Sequence, residues 1–331
     1  MIVIFKKDAT PEQIGELERR IKADGLEPIL DVGTVKTIMR VKGNTSEVST
    51  EPYEAQPYVD HVIRILDRKY KGVSRENGEL TTIVNVNGIN FGGEEIVPIP
   101  GPCALEGQEQ IVDSVKVIHG YGALDLRHVL GKGKIMRGGA FKPRSSPDTY
   151  QGQGKEGLRL FSDIAKNYGI SIVTEVLDPR DVDIVAQYAD VLQVGARNSQ
   201  NFELLKEVGR TGMPILLKRA MAGSIDELMG SGDYVVKYGG KLMFCLRGIK
   251  GLQDNPYRNT VDLADILILK DRARVPVLFD SSHSTGKRDY VIPISIFAVM
   301  AGADGLLVDV HPYPESALVD GPQQLNPQMG A

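Results

Sequence analysis

From residue 96 onward the sequence repeats one theme, an apolar run of strand length followed by a helical pattern. The eight runs are IVPIPGPCAL, KIMRGGAF, SIVTEVL, VLQVGAR, PILLKRA, KLMFCLRG, PVLFDSSH and GLLVDVHP. Unbroken apolar runs joined by helices describe parallel strands buried on both faces, because a strand with one wet face would alternate. Eight such units predict a closed (β/α)8 TIM barrel, an α/β fold of about 250 residues. An open doubly wound sheet is the competing fold. It would be expected to carry GxGxxG after its first strand, and none stands there.

The chain has 331 residues, which leaves room for a second, smaller domain. Residues 1–70 read as strand (Ile2 to Phe5), helix (Pro11 to Ala23), strands Pro28 to Asp31 and Lys36 to Val41, helix (about Pro52 to Pro57) and strand (Val59 to Leu66). This βαββαβ order predicts a small ferredoxin-like α+β domain, a type that binds effectors or serves as a packing and oligomerisation module. Residues 71–95 are polar and glycine-bearing and read as a linker with a short hairpin. Residues 96–331 then form the barrel, with its last helix missing.

A net charge of −4 gives no electrostatic footprint for nucleic acid. No apolar run reaches the ~18 residues a membrane span needs, and MIVIFKKDAT does not read as a signal peptide, so a cytoplasmic protein is expected. Two cysteines, Cys103 and Cys245, are too few for a disulfide scaffold. Cys245, set between Phe244 and Leu246, reads as core.

Nearly every run ends in a polar or reactive residue at the same phase: Cys103, Arg137 with Lys142, Glu175, Arg197, Lys218 with Arg219, Arg247, Asp280 with His283, and Asp309 with His311. In a barrel these positions share one mouth, where they read as catalytic rather than stabilising. A lone strand-end arginine is usually a solvated side chain. Six cations at one mouth (Arg137, Lys142, Arg197, Lys218, Arg219 and Arg247) need anions to offset their burial. Substrate phosphate and carboxylate groups fit, since guanidinium forks bind them bidentately. Internal pairing with Glu175, Asp280 and Asp309 is the alternative.

Cys103, His283 and Asp309, joined by Asp320 after the eighth run, offer a thiolate, an imidazole and two carboxylates, a donor set suited to a divalent Mn²⁺, Fe²⁺, Zn²⁺ or Co²⁺ ion. Taken singly, a buried cysteine is often a small hydrophobe and a lone histidine a hydrogen-bonded core residue.

In chain order, GPCALEG (101–107), RGGAFKPRSSP (137–147), TEVLDPRD (174–181), GARNSQNFELL (195–205), LLKR (216–219), RNT (258–260), SHSTGKRD (282–289) and VDVHPYPESALVDGPQ (308–323) resemble the 3-deoxy-D-arabino-heptulosonate 7-phosphate (DAHP) synthases across essentially the whole barrel. The N-terminal module resembles the ferredoxin-like regulatory extension of one branch of that family. The resemblance implies an enzyme, a transferase condensing phosphoenolpyruvate with erythrose 4-phosphate at the entry to the shikimate pathway and aromatic amino acid biosynthesis. Arg137, Lys142, Arg197, Lys218 and Arg247 match positions that hold phosphoenolpyruvate. Lys142, Pro143, Arg144 and Ser145, with Asp280, match the region that receives the aldose phosphate. Cys103, His283, Asp309 and Asp320 match four metal ligands. Glu175 is expected to position the attacking water and Lys142 to transfer a proton, so the expected catalytic set is Lys142, Glu175, His283 and Cys103. Allosteric feedback by phenylalanine or tyrosine through residues 1–70, and a homo-oligomer (tetramer or dimer), are implied in the same way.

Four departures from the family pattern stand out. Asp309 replaces the usual glutamate, CLRG replaces CERG at Leu246, and DSSH replaces DPSH while a LDLRHVLGKG stretch is inserted after the helix that precedes the second barrel strand. The chain also ends soon after Asp320, where relatives continue into a last helix. A sister octulosonate-phosphate synthase, and a weakly active or regulatory paralogue that binds without turnover, are the competing readings.

Overall fold

A computed structural model describes residues 1–45, 48–63, 70–76, 78–120, 135–144, 146–251 and 258–326. Ser145, the inserted LDLRHVLGKG stretch, residues 64–66 of the sixth N-terminal element and residues 327–331 lie outside the described residues. The chain divides into two compact units, Met1–Lys71 and Gly72–Ala331.

The first unit contains strands β1 (Ile2–Phe5), β2 (Glu27–Val32), β3 (Thr37–Lys42) and β4 (Val59–Ile63), in the sheet order β2-β3-β1-β4. Its antiparallel pairings set Ile2 against Arg40 and Val3 against Val62. The helix Pro11–Ala23 starts at a capping box, with Thr10 and Gln13 each accepting from the other's backbone N–H. Leu17 and Ile21, one turn apart, pack with Val3, Phe5, Met39 and Tyr53 in the core of this unit. The second helix is a single turn, Glu51–Glu54, shorter than the sequence suggests. Pro57 disfavours helical backbone at the residue before it, which limits extension.

In the second unit, β5 (Val84–Val86) and β6 (Ile89–Phe91) form an antiparallel hairpin. The barrel strands follow: β7 (Val97–Gly101), β8 (Ile135–Arg137), β9 (Ser171–Glu175), β10 (Val191–Val194), β11 (Pro214–Lys218), β12 (Lys241–Leu246), β13 (Val277–Asp280) and β14 (Gly305–Asp309). They make one 8-stranded sheet in the order β7-β14-β13-β12-β11-β10-β9-β8, all parallel. The α/β barrel expected from the apolar runs is therefore present. Hairpin residues Val84, Val86 and Phe91 join the barrel interior, packing in one cluster with Ile99, Val173, Leu216 and Leu307.

The seam between β7 and β8 has a readable cause. Val97 donates its N–H to Asp304 on the β14 side, so the alternate residues Pro98 and Pro100 face β8, where proline has no N–H to give. Beyond them closure comes from the Ala104–Gly139 bridge, with Leu105 donating to the Gly139 carbonyl at 2.9 Å. Gly101 lies at the seam with φ +147°, and a Cβ there would meet the Arg137 carbonyl at 2.0 Å. Only glycine allows that approach.

Candidate active site

Side chains along a strand alternate faces, so every second residue of each barrel strand points inward. Reading upward, those positions change from apolar to polar: Ile135 to Arg137, Val173 to Glu175, Val191 to Gln193, Leu216 to Lys218, Leu278 to Asp280 and Leu307 to Asp309. The inward layer at the C-terminal end opens into a cavity of about 470 Å³. Arg137, Lys142, Pro143, Arg144, Glu175, Arg197, Lys218, Arg247, His283 and Asp320 all line it.

The same alternation corrects the expectation for Arg219. With Lys218 inward, Arg219 must point outward, and it pairs with Asp265 and donates from Nε to the Gly223 carbonyl at 2.7 Å. This buried pair serves the outer shell of the barrel. Arg219→Ala is expected to lower unfolding stability by about 3 kcal/mol, since it strands Asp265, with substrate KM values unchanged. Chemical denaturation alongside steady-state kinetics checks both halves. Leu246, in the opposite phase from Arg247, likewise does not line the cavity.

The four metal-type donors converge. One ligand atom each from Cys103, His283, Asp309 and Asp320 lies within 4.8 Å of the others. Cys103 Sγ is 3.9 Å from His283 Nε2 and 3.4 Å from Asp320 Oδ2, and His283 Nε2 is 3.4 Å from Asp320 Oδ2. Lys142 Nζ donates to the Cys103 carbonyl at 3.0 Å and to its Sγ at 3.3 Å. Burial pushes the Cys103 thiol up, but Lys142, His283 and Arg137 pull it down, and the net shift is below the ordinary thiol value. At Cys245 burial outweighs the pull of Lys218, Arg247 and Arg137 and raises the thiol to about 12. It is core, as its sequence setting suggests.

Asp280 is fully buried beneath the cavity rather than lining it. It caps the short helix Ser281–Thr285, accepting from the His283 N–H at 2.9 Å, and lies 3.0 Å from His283 Nδ1 while pairing with Lys218. Burial disfavours a charged His283 ring, yet Asp280 and Asp309 outweigh it and raise the imidazole to about 10. Asp309 pairs with Arg137 through Oδ1 and accepts from Gln323 Nε2 through Oδ2 at 2.6 Å. Internal pairing thus accounts for Arg137 and Lys218. In the DSSH segment, Ser282 Oγ accepts from the Asp309 N–H at 2.8 Å and Ser281 Oγ accepts from Ser295 at 2.8 Å. Glu175 sits against Gly195, where a Cβ would fall 1.9 Å from Glu175 Oε1.

Arg247 is not offset in this way. Its Nη2 reaches the His283 carbonyl at 3.4 Å, while its buried Nη1 has no partner among the described residues. Burial lowers its proton affinity, and Arg258 and Arg197 add to that effect against the opposing pull of Asp280. Arg258, Lys250, Gln193 and Asn259 also line the cavity and were not singled out from sequence. Gln193 had a usable signal, a polar residue at an inward phase of an apolar run. Arg258 and Asn259 lie in the RNT motif, but Lys250 sits in a loop without periodicity.

Residues 77–330 match the DAHP synthetase I family, and residues 1–67 match the DAHP synthase ferredoxin-like domain. The chain belongs to the DAHP synthetase I family. Phospho-2-dehydro-3-deoxyheptonate aldolase of Thermotoga maritima is 37% identical over 327 residues, covering 98% of this chain and 93% of its own. The crystal structure of Thermotoga maritima phospho-2-dehydro-3-deoxyheptonate aldolase (DAHP synthase) superposes with a TM-score of 0.82 at 36% identity, covering 99% of this chain and 93% of that one. The truncated form of 3-deoxy-D-arabino-heptulosonate 7-phosphate synthase from Thermotoga maritima covers 79% of this chain and 92% of its own, with a TM-score of 0.70 at 38% identity. A 2-dehydro-3-deoxyphosphooctonate aldolase of Syntrophotalea carbinolica is more distant, 28% identical over 263 residues, which is 73% of this chain and 90% of its own. This member of the DAHP synthase family is therefore an enzyme with a TIM barrel and a ferredoxin-like domain. No helix among its described residues is long and apolar enough to cross a membrane.

Proposed function

We propose that this chain condenses phosphoenolpyruvate with erythrose 4-phosphate to give DAHP and phosphate, the first step of the shikimate pathway, in the cytoplasm and with a divalent ion. The observation that carries the reading is the buried, under-partnered Arg247 beside the four-donor cluster, a place for an anion next to a place for a cation. Cys103, His283, Asp309 and Asp320 would hold the ion. The donor set fits: a carboxylate offers about four acceptor positions, so Asp309 retains some beyond those used by Arg137 and Gln323, and outer hydrogen bonds of this kind orient metal ligands. Mn²⁺, Fe²⁺, Zn²⁺ and Co²⁺ all suit it. When bound, the ion supplies Lewis-acid polarisation of the aldehyde oxygen.

The chain's own residues supply the rest. Arg247, Arg197 and Lys142, with Arg137 and Lys218 behind them, hold the phosphate and carboxylate of phosphoenolpyruvate. Pro143, Arg144 and Ser145 receive the aldose phosphate, and Asp280 acts there by fixing Lys218 and His283. As the methylene carbon of phosphoenolpyruvate bonds to the aldehyde carbon, Lys142 gives a proton to the new hydroxyl oxygen. Water that Glu175 orients with help from Gln193 Nε2, 3.3 Å from Glu175 Oε2, adds to the positively charged second carbon; one of its protons restores Lys142, and the other leaves with phosphate as the bond from that carbon to the phosphate oxygen breaks and the ketone forms. Supplying arabinose 5-phosphate and erythrose 4-phosphate in parallel tests the substrate assignment. Turnover of the four-carbon sugar is expected, and turnover of the five-carbon sugar alone would overturn it.

Residues 1–70 act as the regulatory domain in this reading, with phenylalanine or tyrosine as effector and a homo-oligomer as the working form. Deleting Met1–Lys71 is expected to abolish feedback inhibition while activity persists. Unchanged inhibition in the shortened protein would sink that role.

A further inference from the structure

Two side chains outside the cavity join the loop that carries Cys103 to the loop that carries Asp320. His311, 1% exposed, follows β14. The Tyr313 N–H donates to its Nδ1 at 2.9 Å, so the neutral ring keeps its proton on Nε2. That nitrogen faces Glu106 Oε2 at 3.5 Å, too poorly placed for a hydrogen bond, and has no hydrogen-bond partner among the described residues. The other carboxylate oxygen, Glu106 Oε1, accepts from the Leu318 N–H at 2.8 Å. Glu106 is itself fixed: its N–H donates to Gln110 Oε1 at 3.3 Å and its carbonyl accepts from Gln153 Nε2 at 3.2 Å.

Asp320 needs such support. It sits in left-handed backbone, φ +55° and ψ +29°, a region that aspartate enters more readily than most side chains but that still favours glycine. Between Leu318 and Asp320, Val319 is held through its carbonyl by Gln324 Nε2 at 2.8 Å, and Gln324 Oε1 in turn accepts from the Cys103 N–H at 3.1 Å. The two loops are therefore cross-linked twice, once through Gln324 and once through Glu106.

We infer that Glu106 and His311 are positioning residues, a tether that fixes Asp320 against Cys103 and so sets the affinity of the divalent-ion site; this rests on the metal reading above. Neither residue lines the cavity. Glu106 accepts the Leu318 N–H with one oxygen and sets the other 3.5 Å from the His311 ring, an electrostatic contact rather than a formed hydrogen bond, and alanine can reproduce neither. Glutamine can accept from one donor but presents its own N–H₂ to the other.

The test is Co²⁺ titration by calorimetry, with the thiolate-to-cobalt absorption band recorded in parallel, on the full chain and on Glu106→Ala and Glu106→Gln. Glu106→Ala is expected to weaken Co²⁺ binding about 10- to 100-fold, the usual range for a lost outer-shell partner, and to diminish the thiolate band. Glu106→Gln is expected to recover part of both, and it decides the matter alone should the alanine variant not fold. A merely structural tie would lower Tm while leaving the Co²⁺ affinity and band of the folded protein as in the parent. That result in both variants overturns the inference. A parent protein with no thiolate band removable by Cys103→Ser would instead defeat the metal reading, and the inference with it.

Discussion

Replacing Lys142 with methionine is expected to reduce kcat about 10³-fold, the middle of the range for loss of a positioned general acid, with Tm little changed. Lys142 is buried, lines the cavity and touches both Cys103 Sγ and the Cys103 carbonyl, so its proton lies where the donor cluster meets the substrate space. Methionine keeps the length and apolar stem but removes the ammonium. Lys142 is the strongest influence holding the Cys103 thiol down, so the variant should also need more metal to reach its maximum rate. The two effects separate at saturating Mn²⁺, where the weaker metal binding is overcome and the lost proton is not. Near-parental kcat under that condition would remove Lys142 from proton transfer.

Arg247→Met should separate binding from stability in opposite directions. A guanidinium that is buried with an unpartnered Nη1, in the positive field of Arg197 and Arg258, weakens the ligand-free fold. Its folded-state proton affinity is depressed below the unfolded value, so at neutral pH the charge opposes folding. The variant should therefore melt higher than the parent without ligand. It should also raise the KM for phosphoenolpyruvate about 100-fold, because a charge-assisted contact to the substrate anion is lost. Thermal melts with and without phosphoenolpyruvate read both effects. A variant that melts lower than the parent and binds phosphoenolpyruvate normally would show Arg247 to be structural.

Much of this site can be read from residue order alone, and the limits have physical causes. The eight runs specify the barrel because a strand buried on both faces leaves no polar alternation to misread. Strand ends locate the mouth for the same reason. Lys218 and Arg219 show what that reading overlooks: adjacent residues on a strand cannot both face the interior, and the structure sends Arg219 to Asp265. Asp280 shows a different limit. Its place under the cavity depends on the turn into Ser281–Thr285, where it becomes an N-cap for His283, and that geometry is set by tertiary closure. Pairing of Arg137 with Asp309 joins β8 to β14 and could not be told in advance from pairing with substrate. Arg258 and Lys250 enter from loops without hydrophobic periodicity, where sequence carries least positional information.

In the proposed reaction the strand ends divide into an anion clamp and a four-donor cation site that work together. The decisive measurement is phosphate release from phosphoenolpyruvate and erythrose 4-phosphate on chelator-stripped protein titrated with Mn²⁺. Release should be absent from the stripped protein, rise to a plateau near one ion per chain, and fail to recover in Cys103→Ala. Full turnover by stripped protein with no bound divalent ion would show that the four-donor cluster has no part in the reaction.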